Sequence, residues 1–229
     1  MDVPIRAGKP VFTLFNVDQH VTRSPVPVIP YKNIVVGYDT SGIHPATVFM
    51  QEQGGTWVVL DELYGDGLGM EAFIEHAFLT LLAEKYPTNT IIISCDPANA
   101  KDSYTGLSPS QHLQEHGFQV FMPKTNDPKT RIRAVDLLLN KRSGGIVISC
   151  NCTLLVKAMQ GGYRYNRLRL VGSVEEAYEP TPEKNSYSHI ADALQYACLC
   201  IQRDDYINYD ARPVIKSVSR RRNILRRIM

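Results

Sequence analysis

The chain has 229 residues, of which 44% are hydrophobic and 21% are charged, and this balance is typical of one substantial globular domain. It excludes fibrous and repeat proteins, and no apolar run approaches the roughly 18 residues needed to cross a bilayer. Residues 1–6 lack the basic and apolar blocks of a signal peptide, so we expect a cytosolic protein. The five cysteines, an odd number with CxC rather than CxxC spacing, favour reduced and mostly buried thiols over a zinc site.

Charge is distributed unevenly along the chain. Residues 1–116 carry 6 Lys and Arg against 13 Asp and Glu, a net charge of −7. Residues 117–229 carry the remaining 19 against 10, a net charge of +9. Such an asymmetry suits a protein that gathers carboxylates at one site and binds a polyanion at another, although simple variation of charge along the chain is the alternative.

The N-terminal part of the chain is predicted to lead into a sheet. Residues 1–33 contain five prolines and are expected to form an extended arm or linker. Strand-like runs then follow at 34–39, 46–51 and 56–63, separated by Gly42 and by Gly54-Gly55. Three strands joined by connections of hairpin length predict an antiparallel meander.

Helical and strand-like segments alternate after the meander. Apolar residues recur at helical spacing across 70–85, and the β-branched run at 90–95 suits a strand covered on both faces. Further helices are predicted at 108–116, 128–140, 152–160 and 188–202, the last with Ser188 as its N-cap, and further strands at 118–122, 146–149 and 163–169. We therefore predict an α/β domain over residues 34–205, followed by a basic tail at 206–229.

Three aspartates occupy related places in this pattern. Asp39 and Asp96 each end an apolar strand, although Asp39 followed by Thr-Ser-Gly is equally compatible with an Asx turn. Asp192 lies in the last helix among small residues, three positions after His189 and therefore on the same face. The element order β-β-β-α-β-α with acids at these places is typical of the ribonuclease H-like fold, a central mixed β-sheet flanked by helices. In that fold the first and fourth strands are neighbours, so Asp39 and Asp96 are expected to meet.

Six short motifs carry a resemblance to a known family. They are GKPVFTLFNVDQHV (8–21), VGYDTS (36–41), Asp61-Glu62, SCDPA (94–98), GGYRY (161–165) and SHIADA (188–193). In this order and spacing, from about residue 8 to residue 202, the sequence resembles the C-terminal nuclease domain of the large terminase subunit of tailed bacteriophages. That subunit is the motor that packages viral DNA and cuts concatemeric genomes.

The resemblance implies a metal-dependent DNA endonuclease. Asp39, Asp96 and Asp192 would coordinate Mg²⁺ or Mn²⁺, because clustered carboxylates repel unless cations neutralise them and hard oxygen ligands suit these ions. Two ions would activate a water molecule and stabilise the leaving oxygen of a phosphodiester. His189 is expected to be a ligand or a proton-handling group, with an ordinary helix histidine as the alternative. Glu62 is a further candidate ligand, with a solvated strand-edge residue as the alternative.

Double-stranded DNA is the expected partner of the basic second half. The candidate contacts are Lys129, Arg131, Arg133, Arg164 and Arg167, although a solvated face explains most charge runs. The resemblance further implies a portal protein and a small terminase subunit as partners, and a location in the host cell cytoplasm. A full large terminase begins with an ATPase domain, yet no GxxxxGK[ST] phosphate loop occurs in this sequence, so we expect an excised nuclease domain.

Two other functions remain open at this point. One is a non-catalytic module that grips DNA or docks onto the portal, with the basic tail as its contact. The other is a resolvase or transposase-like nuclease on the same fold.

Overall fold

A six-stranded mixed sheet lies at the centre of the protein. The computed structural model describes residues 8–98, 106–168 and 177–202. The strands of this part are β1 (Gly8–Pro10), β2 (Ile34–Asp39), β3 (Ala46–Gln53), β4 (Thr56–Tyr64), β5 (Ile91–Cys95), β6 (Gln119–Phe121), β7 (Ile146–Ile148), β8 (Arg164–Leu168) and β9 (Ala177–Tyr178). The central sheet has the order β6-β5-β2-β3-β4-β7, and β1, β8 and β9 form a second, three-stranded sheet.

The predicted meander is confirmed. Strand β2 pairs antiparallel with β3, and β3 pairs antiparallel with β4. Gly54 and Gly55 join β3 to β4 with φ angles of +59° and +85°, the left-handed values that a tight hairpin turn requires and that glycine adopts without strain. The remaining pairs, β2–β5, β5–β6 and β4–β7, are parallel, so the sheet is mixed as predicted.

Helices cover both faces of this sheet. They are α1 (Val17–His20), α2 (Met70–Ala72), α3 (Leu79–Lys85), α4 (Pro109–Glu115), α5 (Pro128–Leu139), α6 (Thr153–Lys157) and α7 (Ser186–Ile201), with π-helical segments at Phe73–Phe78 and Ala158–Gly162. The helix predicted over 70–85 is thus an α–π–α element. Its π-helical segment directs both Phe73 and Phe78 onto Tyr38, with ring centroids 5.9 and 5.7 Å away.

Alternation along β2 divides the core into two parts. Val35 packs with residues of α5, α6 and α7 on one face, which we call the α7 face. Ile34, Val36 and Tyr38 pack with the π-helical segment and with Leu113 of α4 on the opposite face. Because side chains alternate along a strand, Asp39 belongs to the α7 face together with Val35.

Helix α7 lies directly on β2 at Gly37. A Cβ atom at this position would lie 1.8 Å from the backbone oxygen of Ala193, so only glycine permits the approach. The helix begins earlier than predicted. Asn185 rather than Ser188 is the N-cap, and Ser188 completes a capping box by accepting a hydrogen bond from the Asn185 backbone N–H.

The ends of the chain differ from their predictions or lie outside the described residues. The predicted arm is described from Gly8, and it includes the short helix α1 and the core residue Phe12, which is 2% exposed. The basic tail at 206–229 lies outside the described residues. Within the described ranges, no helix is long and apolar enough to cross a membrane.

Candidate metal centre

Asp39 and Asp96 lie at neighbouring strand ends. The parallel register of β2 and β5 sets Tyr38 opposite Cys95, and the Asp96 backbone N–H donates to the Tyr38 carbonyl at 3.0 Å. The pairing therefore continues into the two aspartates. This is the adjacency that the ribonuclease H-like strand order predicts.

Asp39 is almost fully buried, at 4% exposure, and has a histidine partner. Its Oδ2 atom lies 2.9 Å from Nδ1 of His189, which α7 carries over the strand end. Burial raises the pKa of Asp39, and the negative charges of Asp192 and Asp96 raise it further, while the hydrogen bond from His189 opposes the shift. Asp39 is therefore a buried carboxylate with His189 as its hydrogen-bond partner and with two further carboxylates nearby.

Asp192 is the most enclosed of the three aspartates and is contacted by two cations of the protein. Its Oδ2 atom lies 2.5 Å from the ammonium of Lys184, and its Oδ1 atom lies 3.4 Å from the guanidinium of Arg131. The Gln195 side chain also donates to Oδ1 at 3.0 Å. Lys184 is 68% exposed whereas Asp192 is 2% exposed, so this ammonium reaches a buried carboxylate from solvent.

Arg131 also connects Asp192 with Asp96. It donates to the Tyr196 hydroxyl at 2.5 Å, and Tyr196 donates to the Asn126 amide oxygen at 2.9 Å. The Asn126 amide nitrogen then donates to Asp96 Oδ1 at 3.2 Å. Arg131 itself is only 4% exposed, whereas a contact with a DNA phosphate requires a guanidinium at the surface. Its guanidinium is held inside the protein by Asp192 and Tyr196.

The ligand atoms of Asp39, Asp96 and Asp192 do not all lie within 4.8 Å of one another. Among the described residues, the only three-residue group of His, Cys, Asp or Glu whose ligand atoms all lie within 4.8 Å of one another is elsewhere in the fold.

Glu62 lies at a different place from the one predicted for a metal ligand. Both of its carboxylate oxygens accept backbone N–H groups, from Leu154 and Leu155 in the first turn of α6, at 2.8 Å each. Burial raises the pKa of Glu62, and these two hydrogen bonds oppose the shift. Glu62 is on β4, two strands away from the strand of Asp39, and its carboxylate is engaged by the start of α6.

The other predicted DNA contacts have different surroundings. Lys129 and Arg133 are exposed and lie one turn apart on the outer face of α5, and Arg167 is exposed on β8. Arg164 is 18% exposed and forms a 3.0 Å ion pair with Glu183, so its charge is engaged within the protein.

Two aromatic rings beside His189 were missed by the sequence analysis. The rings of His44 and Tyr64 lie 5.7 and 6.4 Å from the His189 ring, and the Tyr64 hydroxyl lies 3.3 Å from His44 Nδ1. The meander register contained a signal for Tyr64, because Ala46 pairs with Asp39 on one side and with Tyr64 on the other. These rings therefore line the same end of the sheet as Asp39.

Comparisons with solved structures agree with this architecture. A large terminase from a thermophilic bacteriophage is 21% identical, with a TM-score of 0.62 over 87% of this chain and 47% of that one. The P22 large terminase nuclease domain is 11% identical, with a TM-score of 0.57 over 86% of this chain and 94% of that domain. The large terminase nuclease from the thermophilic phage G20c with bound magnesium is 13% identical, with a TM-score of 0.53 over 82% of this chain and 97% of that one.

These likenesses concern the fold. No protein-family model and no curated protein matches the sequence. The chain spans about half the length of the first of these structures, the large terminase, and nearly the full length of the isolated nuclease domains. The protein therefore has the ribonuclease H-like fold of phage large-terminase nuclease domains, as predicted.

Proposed function

We propose that this protein is a divalent-metal-dependent endonuclease that cuts double-stranded viral DNA during genome packaging. The observation that carries the proposal is the meeting of Asp39 and Asp96 at neighbouring strand ends, under an α7 helix that brings Asp192 and His189 to them. The shared fold supports it, since the compared structures with this fold are terminases or their nuclease domains.

The donor set fits a hard divalent cation. Asp39, Asp96 and Asp192 would hold Mg²⁺ or Mn²⁺, and the G20c nuclease has been solved with bound magnesium. Asp192 already pairs with the ammonium of Lys184, so this end of the sheet accepts positive charge. Two such ions would supply an activated water molecule and stabilise the leaving oxygen of the phosphodiester. Lys184 pairs with the Oδ2 atom of Asp192, so lysine and ion would compete for this oxygen.

The surrounding residues hold the three carboxylates in place. His189 orients Asp39 through its Oδ2 atom, and Asn126 and the Ala98 backbone N–H fix Oδ1 of Asp96. Arg131 keeps one oxygen of Asp192 occupied, which leaves the other for exchange between Lys184 and an ion. In this arrangement His189 is also placed to take or return a proton at the end of β2.

Exposed cations would hold the DNA. Lys129 and Arg133 on α5, together with Arg167 on β8, are candidates for phosphate contacts, because electrostatic attraction to the backbone provides most sequence-independent affinity. As part of a packaging motor the domain would work with an ATPase domain, a portal protein and a small terminase subunit in the host cell cytoplasm. Since the chain spans about half of the large terminase compared above, these partners belong to the proposal.

One observation favours a second candidate, a DNA-gripping or portal-docking module without catalysis. Asp192 is compensated by Lys184 and Arg131, so the third carboxylate has protein partners in place of an ion. In this alternative the aspartates would stabilise the fold only, and divalent cations would bind no more tightly than to an ordinary acidic surface.

Cleavage of a supercoiled plasmid in Mg²⁺ or Mn²⁺ separates the two functions. Asp39→Asn and Asp96→Asn should each lower the rate by more than the roughly 10–100-fold typical for loss of an outer-shell partner of a metal ligand. Asp18→Asn, at an exposed aspartate of α1, is the matched control and should cut like the unmodified protein. If Asp39→Asn and Asp96→Asn are folded by circular dichroism and both cut as fast as the unmodified protein, the nuclease proposal is contradicted.

A further inference from the structure

We propose that Glu75, His112 and His116, called the histidine cluster below, form a second metal site that takes a borderline ion such as Zn²⁺. The ligand atoms of these residues all lie within 4.8 Å of one another, which no other group of three His, Cys, Asp or Glu achieves in the described ranges. The cluster lies on the helical layer that covers the sheet face opposite α7. It is therefore separate from the aspartates.

Two different elements bring the three side chains together. His112 and His116 are four residues apart at the C-terminal end of α4 and therefore share one face, with ring centroids 5.3 Å apart. Glu75 comes from the π-helical segment Phe73–Phe78, whose Phe73, Ile74 and Phe78 are buried in the core. The burial of those three residues turns Glu75 toward α4. Its Oε1 atom lies 3.2 Å from Nε2 of His116.

One atom of the cluster lacks the partner that its burial requires. Nε2 of His112 is buried and accepts or donates no hydrogen bond within the part of the chain that the structure describes. Buried polar atoms nearly always have a partner, because desolvation without one is unfavourable. A neutral imidazole carries a lone pair on one of its two nitrogens, and a metal bond would use it.

The chemistry of the cluster selects the class of ion. Two imidazole nitrogens and one carboxylate oxygen suit Zn²⁺ and its neighbours in the transition series, with a further position left for water. Ligands bound at about 2.0–2.1 Å in tetrahedral geometry lie roughly 3.3 Å apart, and the Glu75–His116 separation of 3.2 Å agrees with this. Mg²⁺ prefers six oxygen ligands and is a poor match.

The cluster is open enough for an ion to enter. The side chains of His116 and Glu75 are 19% and 33% exposed, so solvent reaches two of the three ligands. A bound ion would join α4 to the π-helical segment, two elements of the same layer. Its expected effect is therefore a more stable layer, and the cleavage chemistry at the aspartates does not depend on it.

Zinc binding by the whole protein in excess Mg²⁺ tests the proposal. We expect one equivalent of Zn²⁺ by isothermal titration calorimetry, and visible d–d absorption typical of tetrahedral coordination when Co²⁺ replaces zinc. His112→Gln, His116→Gln and Glu75→Gln should each weaken Zn²⁺ binding by more than about 10-fold, since each removes a direct ligand. His76→Gln is the matched control, because His76 is exposed on the same π-helical segment.

The outcomes decide the matter in either direction. Loss of binding in the three cluster variants but not in His76→Gln supports the site. Absence of zinc binding by the unmodified protein overturns the proposal. Equal binding by all variants also overturns it and would place the zinc at other residues, such as the partly exposed Cys150. The two surface variants, His116→Gln and Glu75→Gln, keep the test valid if His112→Gln fails to fold.

Discussion

The two faces of the central sheet carry clusters that suit different cations. On the α7 face, three buried or half-buried aspartates are accompanied by cations of the protein itself, Arg131 and Lys184. On the opposite face, the histidine cluster offers two nitrogens and one oxygen, including a buried nitrogen without a partner among the described residues. Hard oxygen ligands and borderline nitrogen ligands are thus kept apart by the sheet, and each set can select its own ion.

The electrostatic demands of the two clusters also differ. Buried carboxylates require compensation whether or not a metal is bound, because an unpaired buried charge is very unfavourable. The histidine cluster contains only one carboxylate, that of Glu75, whose side chain is 33% exposed and therefore partly solvated. Substitutions at the aspartates should therefore affect folding as well as metal binding, whereas those at the histidine cluster should affect metal binding first.

The largest difference is expected for two arginines on α5. Arg131→Met leaves the buried carboxylate of Asp192 with Lys184 alone, and loss of one partner from a buried ion pair costs about 3 kcal/mol of unfolding free energy. Arg133→Met, on the exposed face of the same helix, should change stability by less than about 0.5 kcal/mol. Urea unfolding measures both.

DNA binding by the same two variants should show the reverse order. Removing the exposed Arg133 should lower the salt dependence of DNA affinity by about one unit of slope, because one phosphate contact is lost. Arg131→Met should leave that slope unchanged in conditions where it is folded. If the two variants are equally stable, Arg131 and its partners do not stabilise the buried carboxylate of Asp192. The aspartates would then not need the charge compensation that distinguishes them from the histidine cluster.

The position of Arg131 in the helical pattern indicates burial, but its charge indicates a place on the surface. Val135 and Leu138 lie on the buried side of α5, and Arg131 precedes them by four and seven residues on the same apolar stripe. Its charge suggested the surface instead. The true position depends on Asp192 and Tyr196, which are more than sixty residues away, and only the folded chain shows these partners.

The strand ends were more predictable than the charges around them. Apolar runs followed by turn residues located Asp39 and Asp96 correctly at the ends of β2 and β5, and the ribonuclease H-like strand order made these strands neighbours. The histidine cluster was only half visible. The i, i+4 spacing of His112 and His116 is present in the sequence, but the position of Glu75 follows from a π-helical segment that no sequence period indicated.

A smaller effect is expected at Glu62, the acid that the sequence assigned to the aspartate end. Glu62→Gln keeps one acceptor oxygen and replaces the other with a donor, so one of the two hydrogen bonds to the start of α6 is lost. The expected cost is about 1–2 kcal/mol of unfolding free energy, similar to loss of a helix cap. Thermal or urea unfolding measures this cost.

Metal affinity and plasmid cleavage by Glu62→Gln should equal those of the unmodified protein, because the carboxylate does not face the aspartates. Glu71→Gln, at an exposed glutamate of α2, provides the control for a change of charge alone. A loss of cleavage without a loss of stability would instead make Glu62 a metal ligand together with Asp39, Asp96 and Asp192.

The smallest effect is expected for Lys184, whose ammonium would compete with a divalent ion for the carboxylate of Asp192. Lys184 is 68% exposed, so its ion pair contributes at most about 1 kcal/mol, and an ion that displaces it works against no more than that. Lys184→Ala should therefore bind Mn²⁺ about two- to five-fold more tightly by calorimetry, since a free energy of about 1.4 kcal/mol corresponds to roughly tenfold in affinity.

Lys141→Ala, at an exposed lysine beyond α5, should bind Mn²⁺ like the unmodified protein. Zinc binding at the histidine cluster should be the same in both variants, because that site lies across the sheet. Unchanged or weaker Mn²⁺ binding by Lys184→Ala would show that Lys184 and the metal do not compete for Asp192, and that the aspartate end carries its lysine and its ion together.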